Sequence, residues 1–505
     1  MDTDVVVVGA GPVGLLLADE LALAGVRVTV VERRLEPDLT IKAGSINVPT
    51  GEALYRRGLL PAVQQVQAQA AERMKQFAKG APVRPAAFIG HFAAMMLRAD
   101  LLDPDDPDFQ GHGPVAGIAG VSQQDLERIL AERAAELGVV IRRGLEVTGF
   151  TAADDGVLVE IGDERVRCGW LVGCDGGRSV VRRCAGFDFP GTDPEITGRQ
   201  ALVELADAEG LLPGWNRTDT GIYVHGPFPG RILTVEFDGP PADRDAPVTA
   251  AELQAGLRHV SGTDARVTAV HSATRFTDNA RQASTYRLGR VLLAGDAAHV
   301  HSPFGGQGLN LGVGDAMNLG WKLAAVVHGW ASDELLDTYT AERHPIGAWV
   351  LEWSRAQVAL MRPDARTAAL RGVVADLAAT VPGTTYFAKK ISGVWQRYDL
   401  PGEHPLVGAS APDLELADGT RLADHLHAGR AVLFDLADDP AVRATAAPYA
   451  GRVDVVTVGC GREPAGLLVR PDGVVAWASD GGDGSVDDLA AALRRWSGAP
   501  AATAA

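Results

Sequence analysis

The chain has 505 residues, 46% hydrophobic and 22% charged, with a formal net charge of −17. This is the balance of a globular protein of about three domains, and its negative charge excludes a nucleic-acid backbone or an anionic membrane as the main partner. Cys168, Cys174, Cys184 and Cys460 show no CxxC or zinc spacing, no run reaches the ~18 apolar residues of a membrane span, and a strand starts within a few residues of the N-terminus; together these predict a cytoplasmic protein with reduced thiols and no signal peptide.

The first predicted element is the β-branched run from Asp4 to Val8, which feeds directly into Gly9-Ala10-Gly11-Pro12-Val13-Gly14. An amphipathic helix from Leu15 to Ala24 follows, then an apolar strand from Val26 to Val31 that ends at Glu32. In such a unit Gly9 permits a tight turn, Gly11 lets backbone approach a pyrophosphate, and Gly14 lets helix and strand pack closely. The helix N-terminus faces the phosphates, and an acid about 20 residues on accepts ribose hydroxyls. A dinucleotide with an unphosphorylated adenosine ribose, FAD or NAD, fits this arrangement.

Residues 52–60 predict a short helix closed by Gly58, and residues 62–79 a polar, Gln- and Ala-rich one. The stretch 80–118 is rich in Gly, Pro and Asp and predicts a long surface excursion. Ser122 can cap a helix over 122–137, and strands are expected at 139–150, 157–161 and 165–173. Leu171 to Arg182 then reads as strand, Asp175-Gly176 turn and helix start. Residues 185–275 change texture, with alternating strands, Gly/Pro turns and one helix near 249–259, and predict an antiparallel sheet inserted into the nucleotide domain. A buried strand next delivers Gly295-Asp296, and a Pro/Gly-rich loop (Ser302 to Gly308) leads into a helix near Leu309. Amides at that helix N-terminus can stabilise negative charge on a reduced flavin. Helices are expected over 314–328, 333–359 and 364–380, with Pro382-Gly383 and Pro401-Gly402 as punctuation. A last unit follows, with strands at 431–435, 453–458 and 466–470, a Pro471-Asp472-Gly473 turn into another strand, a helix near 486–496 and a frayed tail at 501–505.

With these three motifs in order, the chain resembles the group A flavoprotein monooxygenases, the para-hydroxybenzoate hydroxylase-like family, and within it the actinomycete hydroxylases of aromatic polyketides (angucyclines, anthracyclines and tetracyclines). Asp315 to Leu323 and Tyr339 to Pro345 also match the family pattern. The resemblance implies an α/β fold. A Rossmann-like FAD-binding domain would comprise 1–184 and 276–398, an antiparallel-sheet substrate domain 185–275, and a thioredoxin-like domain without CxxC 399–505. It implies that Gly9, Gly11, Pro12, Val13 and Gly14 hold the pyrophosphate of FAD, Glu32 and Arg33 its adenosine half, and Val147 its adenine. Lys42, Ala43 and Gln123 would lie at the flavin, and Asp175 would belong to a motif linked to FAD and NADPH. Asp296, Pro303, Gly306, Gln307, Gly308, Leu309 and Asn310 would wrap the ribityl chain and the isoalloxazine. Lys42 and Pro303 are the candidates closest to the chemistry. Phe92, Met96, Tyr223, Phe237 and Phe304 are candidate substrate contacts.

The implied reaction consumes NADPH or NADH and inserts one oxygen atom of O2, through a flavin C4a-hydroperoxide, into an aromatic polyketide-like small molecule. Three alternatives stay open: Baeyer–Villiger oxygenation by the same peroxide, a non-oxygenating flavin reductase or dehydrogenase, and a flavin-binding protein without turnover. Asp175 can equally serve as a plain turn residue and Lys42 as a solvated lysine. His299 and His301, two apart with no third ligand, read as packing or solvent-contact residues rather than a metal site. His344 is expected at a helix end, and the tryptophans in the core. Oligomerisation is left open.

Overall fold

A computed structural model describes residues 1–77, 88–226, 230–244, 246–459, 464–481 and 485–500. The expectations for Cys460 and for the tail 501–505 lie outside them.

The valine run forms β1 (Thr3–Val8), central in an eight-stranded sheet, and Val5, Val6 and Val7 are fully buried because both faces of that sheet are covered. α1 (Pro12–Leu23) starts from Gly11 with Pro12 in its first turn, and β2 (Val28–Glu32) returns parallel to β1. α2 (Val48–Tyr55) begins before the expected 52, because Asn47 accepts the Thr50 N–H at 3.1 Å and Pro49 suits the first turn. After α3 (Leu60–Phe77) come β3 (Phe88–Phe92), β4 (Met95–Arg98) and short 3-10 turns between Ala99 and Val115. The described part of the expected surface excursion is therefore a packed hairpin and turns, with Phe92 and Leu97 in a core.

α4 (Gln123–Glu136) has Ser122 as its cap, and β5 (Val140–Arg143) pairs with β2. β6 (Val147–Ala153), β7 (Gly156–Ile161) and β8 (Glu164–Gly173) form a meander whose last strand is long enough to pair with β7 and then, parallel, with β1. α5 (Val180–Ala185) and the short β9 (Gly191–Thr192) lead to the second sheet.

That sheet contains β10 (Thr197–Ala206), β11 (Gly214–Arg217), β12 (Gly221–His225) and β13 (Arg231–Glu236), and, after α6 (Ala250–Ser261), β14 (Arg266–Phe276). It is antiparallel throughout, in the order β11-β12-β13-β10-β14. Alternation divides it: Ala201, Val203, Tyr223 and Ile232 pack under Leu253, Leu257 and Val260 of α6, while Ile222, Val224, Leu233 and Val235 face the other way.

The chain returns through β15 (Ala280–Gln282), β16 (Arg287–Leu288) and β17 (Val291–Leu293), the last parallel to β8, and through β18 (His299–Val300), which pairs with β15. α7 (Gly308–Val327) packs on α1, and α8 (Glu334–Met361) runs on with Pro345 inside it, so His344 is within a helix and not at its end. α9 (Ala365–Ala378) is followed by α10 (Val381–Ser392), where a break was expected. Thr380 caps it by accepting the Gly383 N–H at 3.1 Å, and Pro382 fits the first turn, whose amides have no helical acceptor.

The last unit contains β19 (Ala431–Asp435), α11 (Pro440–Ala446), β20 (Val453–Thr457), β21 (Gly466–Val469), β22 (Val475–Ser479) and α12 (Ser485–Ser497), its sheet ordered β20-β19-β21-β22. α11 was not foreseen. One face of this sheet packs with Trp321 of α7 and Leu335 of α8, so the unit shares a core with the helices before it. Among the described residues no helix is long and apolar enough to cross a membrane.

Candidate active site

The β1–α1 turn shows why its glycines are needed. Gly9 has φ +108°, and a Cβ there would come within 2.4 Å of Cys174 O. A Cβ on Gly14 would lie 2.0 Å from Gly9 O, so both positions are closed to side chains. Gly11 is the opposite case: a Cβ would meet no atom within 4 Å, and α1 starts there without a side-chain cap. The uncapped N-terminus opens on a cleft of about 210 Å³ lined by Gly9, Gly11, Glu32, Arg33, Lys42, Val147 and Asp175, among others.

In this cleft Glu32 accepts the Ala10 N–H on Oε2 at 2.8 Å and the Arg34 N–H on Oε1 at 2.9 Å, which fixes the carboxylate beside the turn. Asp175 caps α5, with Oδ2 accepting from Val180 and Val181 at 2.7 and 3.2 Å, while its Oδ1 is buried without a partner. Lys42 is exposed and pairs with Asp38 at 2.9 Å. Burial opposes the charge on Asp38, yet hydrogen bonds from Thr40 and Lys42 hold its carboxyl well below the usual range. The Gln123 N–H donates to Ala43 O at 2.9 Å and its side chain to Glu127 Oε1 at 2.9 Å, tying α4 to the loop after Lys42.

The second half of the site comes from β17 and α7. Gly295, at φ +62°, turns the chain so that Asp296 is exposed, without a hydrogen bond to any described residue. Val13 of the first motif sits against both Gly295 and Gly312: a Cβ on them would lie 3.1 and 2.5 Å from its Cγ2. Below this contact is a buried network that the sequence reading missed. Asp315 accepts the Gly295 N–H at 3.0 Å and His299 Nε2 at 2.6 Å on Oδ2, and Arg343 Nε at 2.9 Å on Oδ1. Burial alone would raise the Asp315 pKa, but His299 and Arg343 hold it below the ordinary carboxylate value. The Ser302–Gly308 loop is braced by Asn310, which donates to Gly306 O at 2.8 Å and accepts the Asn47 N–H at 2.9 Å, and by Gln307, which donates to Gly305 O at 2.8 Å. Pro303 and Gly306 remain exposed, and the first-turn amides from Gly308 onward have no acceptor inside α7.

An aromatic cluster packs around the same loop. Phe304, buried in the loop, meets Phe276 edge-on at 5.8 Å and Trp215 at 6.3 Å. Phe92 lies 4.6 Å from both Trp353 and Phe387, and Phe237 packs at the edge of the same cluster. His91 packs on Trp215 with its ring tilted by 50° at 4.5 Å, and burial pushes its pKa down to about 4, leaving it neutral. Two residues expected as substrate contacts lie outside this cluster. Met96 is on the outer side of the hairpin, 43% exposed. Tyr223 is under α6, its hydroxyl accepting the Leu212 N–H at 3.3 Å, because it is one residue out of phase with Ile222 and Val224. Trp215, Phe276, Trp353 and Phe387 were missed. One hint was Gly198 at the start of β10: a Cβ there would be 2.1 Å from the Phe276 ring.

The open N-terminus of α1, the orphaned Asp175 Oδ1 and the free carboxylate of Asp296 suit a dinucleotide with a polyhydroxylated chain. Residues 2–354 match the family model of the FAD binding domain, and residues 404–500 that of the aromatic-ring hydroxylase C-terminal region. The chain belongs to the group A flavoprotein monooxygenases. The cofactor of this monooxygenase is FAD, and NAD(P)H is the typical co-substrate of such enzymes. It is 42% identical to the 12-dehydrotetracycline 5-monooxygenase/anhydrotetracycline 6-monooxygenase of Streptomyces rimosus, over 99% of this chain and 100% of that protein. It is 41% identical to a monooxygenase of Claviceps purpurea, over 98% and 97% of the two chains. Among solved structures, the anhydrotetracycline hydroxylase OxyS of Streptomyces rimosus superposes with a TM-score of 0.87 at 40% identity, over 99% of this chain and 100% of that one.

Proposed function

We propose that this monooxygenase uses NAD(P)H and O2 to insert one oxygen atom into a polycyclic aromatic substrate of the polyketide type, in the cytoplasm. The observation that carries this reading is the aromatic wall around Phe304, which is continuous with the flavin loop: a flat apolar ligand held there lies against the segment that would hold the isoalloxazine. The tetracycline substrates named for two of the relatives are of the same shape and chemistry.

In this reading Gly9, Gly11, Pro12, Val13 and Gly14 cradle the pyrophosphate, and Glu32, Arg33 and Val147 meet the adenosine half. Asp175 Oδ1 and Asp296 accept from hydroxyls of the cofactor. Lys42, Ala43 and Gln123 line one side of the flavin. Pro303, Gly306, Gln307 and the amides of Gly308, Leu309 and Asn310 line the other, placing a positive helix end where negative charge develops. FAD supplies the reduction and oxygen-activation chemistry; the chain binds, orients and excludes water. Residues 1–184 with 276–398, 185–275 and 399–505 act as the FAD, substrate and appended domains.

The test is NADPH oxidation followed together with O2 uptake and product mass across a panel of polycyclic aromatic polyketides. A product one oxygen atom heavier, labelled from ¹⁸O2, is expected from protein that retains FAD on purification. NADPH oxidation that yields only peroxide across the panel, or a protein that takes up no FAD, would overturn the reading.

A further inference from the structure

One side chain of α8 joins two segments that the fold brings together at the aromatic chamber. The first is the turn between β3 and β4, where Ala93 and Ala94 have φ of +49° and +63°. Among the described residues other than glycine, only Asp207 and Asp438 share this left-handed conformation, which L side chains rarely adopt. Ala93 has no exposed surface, and both of its backbone groups are held by side chains from outside the hairpin. Its N–H donates to Gln357 Oε1 at 3.1 Å, and its carbonyl accepts from Arg371 of α9. The surrounding helices thus keep the turn in an unfavourable shape.

The same Gln357 amide reaches the flavin loop. Its Nε2 donates to Phe304 O at 3.2 Å, and a Cβ on Gly305 would lie 2.6 Å from that nitrogen. Gln357 itself has no exposed surface. Its two partners fix the orientation of the amide, since the Ala93 N–H needs an acceptor and the Phe304 carbonyl needs a donor. The strand that ends at the turn carries His91, which packs on Trp215, and Phe92, which packs on Trp353 and Phe387. Apolar contacts of that kind are non-directional and tolerate sliding, whereas the two hydrogen bonds of Gln357 weaken steeply when misaligned.

We propose that Gln357 is a positioning residue for the monooxygenase reaction: it makes the flavin loop follow the β3–β4 hairpin, so that an aromatic ligand pressing on His91 and Phe92 is felt at the flavin through the Phe304 carbonyl. A side chain that is apolar, or that only accepts, leaves one or both backbone groups unpaired in a buried place and breaks the link. The proposal rests on the aromatic chamber inferred above and adds the residue that ties it to the cofactor.

The FAD-loaded enzyme tests it by titration with anthraquinone-2-carboxamide, binding being read from quenching of tryptophan fluorescence and the response of the cofactor from the flavin difference spectrum. In the wild type both signals are expected to follow one Kd. Gln357→Leu should keep its FAD and bind the probe within about threefold of the wild type, while its flavin response falls about fivefold or more. Gln357→Glu gives a readout that a merely structural role would not move. Protonated, its carboxyl offers the donor and acceptor of the amide; ionised, it offers acceptors alone. Its flavin response should match the wild type at about pH 5 and fade toward about pH 9, since burial holds a carboxyl pKa above the ordinary value, while the wild-type response stays level. Should Gln357→Leu fail to fold, Gln357→Glu carries the test within one protein. A Gln357→Leu response equal to the wild type, a Gln357→Glu response independent of pH, or a wild type whose tryptophans report binding with no flavin response overturns the proposal. The link is reciprocal, so FAD added to the apoprotein should slow amide exchange over residues 88–98 in the wild type and not in Gln357→Leu. Equal slowing in both overturns it as well. An absence of tryptophan quenching in the wild type would strike the chamber reading instead, and the exchange measurement then decides the proposal alone.

Discussion

Asp315 and Asp19 are both buried carboxylates on helices that frame the cofactor cleft, and their surroundings differ in every respect. Asp315 has three donors and stays ionised; neither oxygen of Asp19 has a partner, and burial, reinforced by Glu20, pushes its pKa from 3.8 up to about 8. Asp19 therefore carries a proton in the folded protein that the unfolded chain releases above pH 4. The sign follows: wild-type stability falls as pH rises from about 4 to 8 and levels off above, with a slope of up to roughly 1.4 kcal/mol per pH unit from this group. Asp19→Asn removes the proton uptake, so its melting temperature should gain on that of the wild type with each step from pH 5 to pH 8. Parallel melting curves across that range would show Asp19 to be solvated. At this scale the glycines of the first turn were legible because a turn imposes them locally. The Asp315 network was not, since His299, Asp315 and Arg343 come from β18, α7 and α8 and meet only in the folded chain.

Strand alternation could be read in residues 185–275, but which face of each strand meets the cofactor loop could not, because a one-residue change of phase exchanges the two faces. Tyr223 and Trp215 test that distinction. Tyr223→Phe loses one hydrogen bond to Leu212 and should cost about 1 kcal/mol of stability with aromatic-ligand affinity unchanged. Trp215→Ala should weaken polycyclic ligand binding about tenfold, equivalent to an aromatic contact of roughly 1.4 kcal/mol, with FAD content intact. Titration and thermal unfolding of both variants decide it; the reverse pattern would put the chamber on the α6 side. α10 was missed for a related reason, since Pro382 and Gly383 stop a helix when they follow it and suit its first turn when they precede it.

The last unit is joined to the FAD-binding part through buried charge as well as through apolar packing. Glu342 of α8 receives Arg470 Nη2 at 2.7 Å and Lys322 Nζ at 3.0 Å, Arg470 also binds Asp472, and Arg343 donates to the Tyr398 hydroxyl at 3.2 Å. Lys322, with no exposed surface, has its pKa lowered to about 7 by burial even with Glu342 beside it. Glu342→Gln leaves Arg470 and Lys322 with less anionic charge than they need and should destabilise the whole protein by about 3–5 kcal/mol. Thermal unfolding should show both parts melting together at the lower temperature; a separate early transition of the last unit alone would mean that the two are not one cooperative structure. The strands of the last unit were visible in the sequence. This shared charge centre was not, because its members come from α7, α8 and a turn of the last sheet.

Val13, seated against Gly295 and Gly312, gives this architecture a temporal consequence. Val13 and Gly295, one from each half of the cofactor cleft, are separated by more than half of the polypeptide, and β17, which must lie beside β8, is made only after the whole intervening sheet. During synthesis the first βαβ unit leaves the ribosome with one flank of its sheet uncovered and no α7 to bury α1, so the nascent chain must remain open until about residue 327 has emerged. Loading of the cofactor is thereby a late event in biogenesis, and the intervening sheet, whose strands all lie between residues 197 and 276, has time to form first.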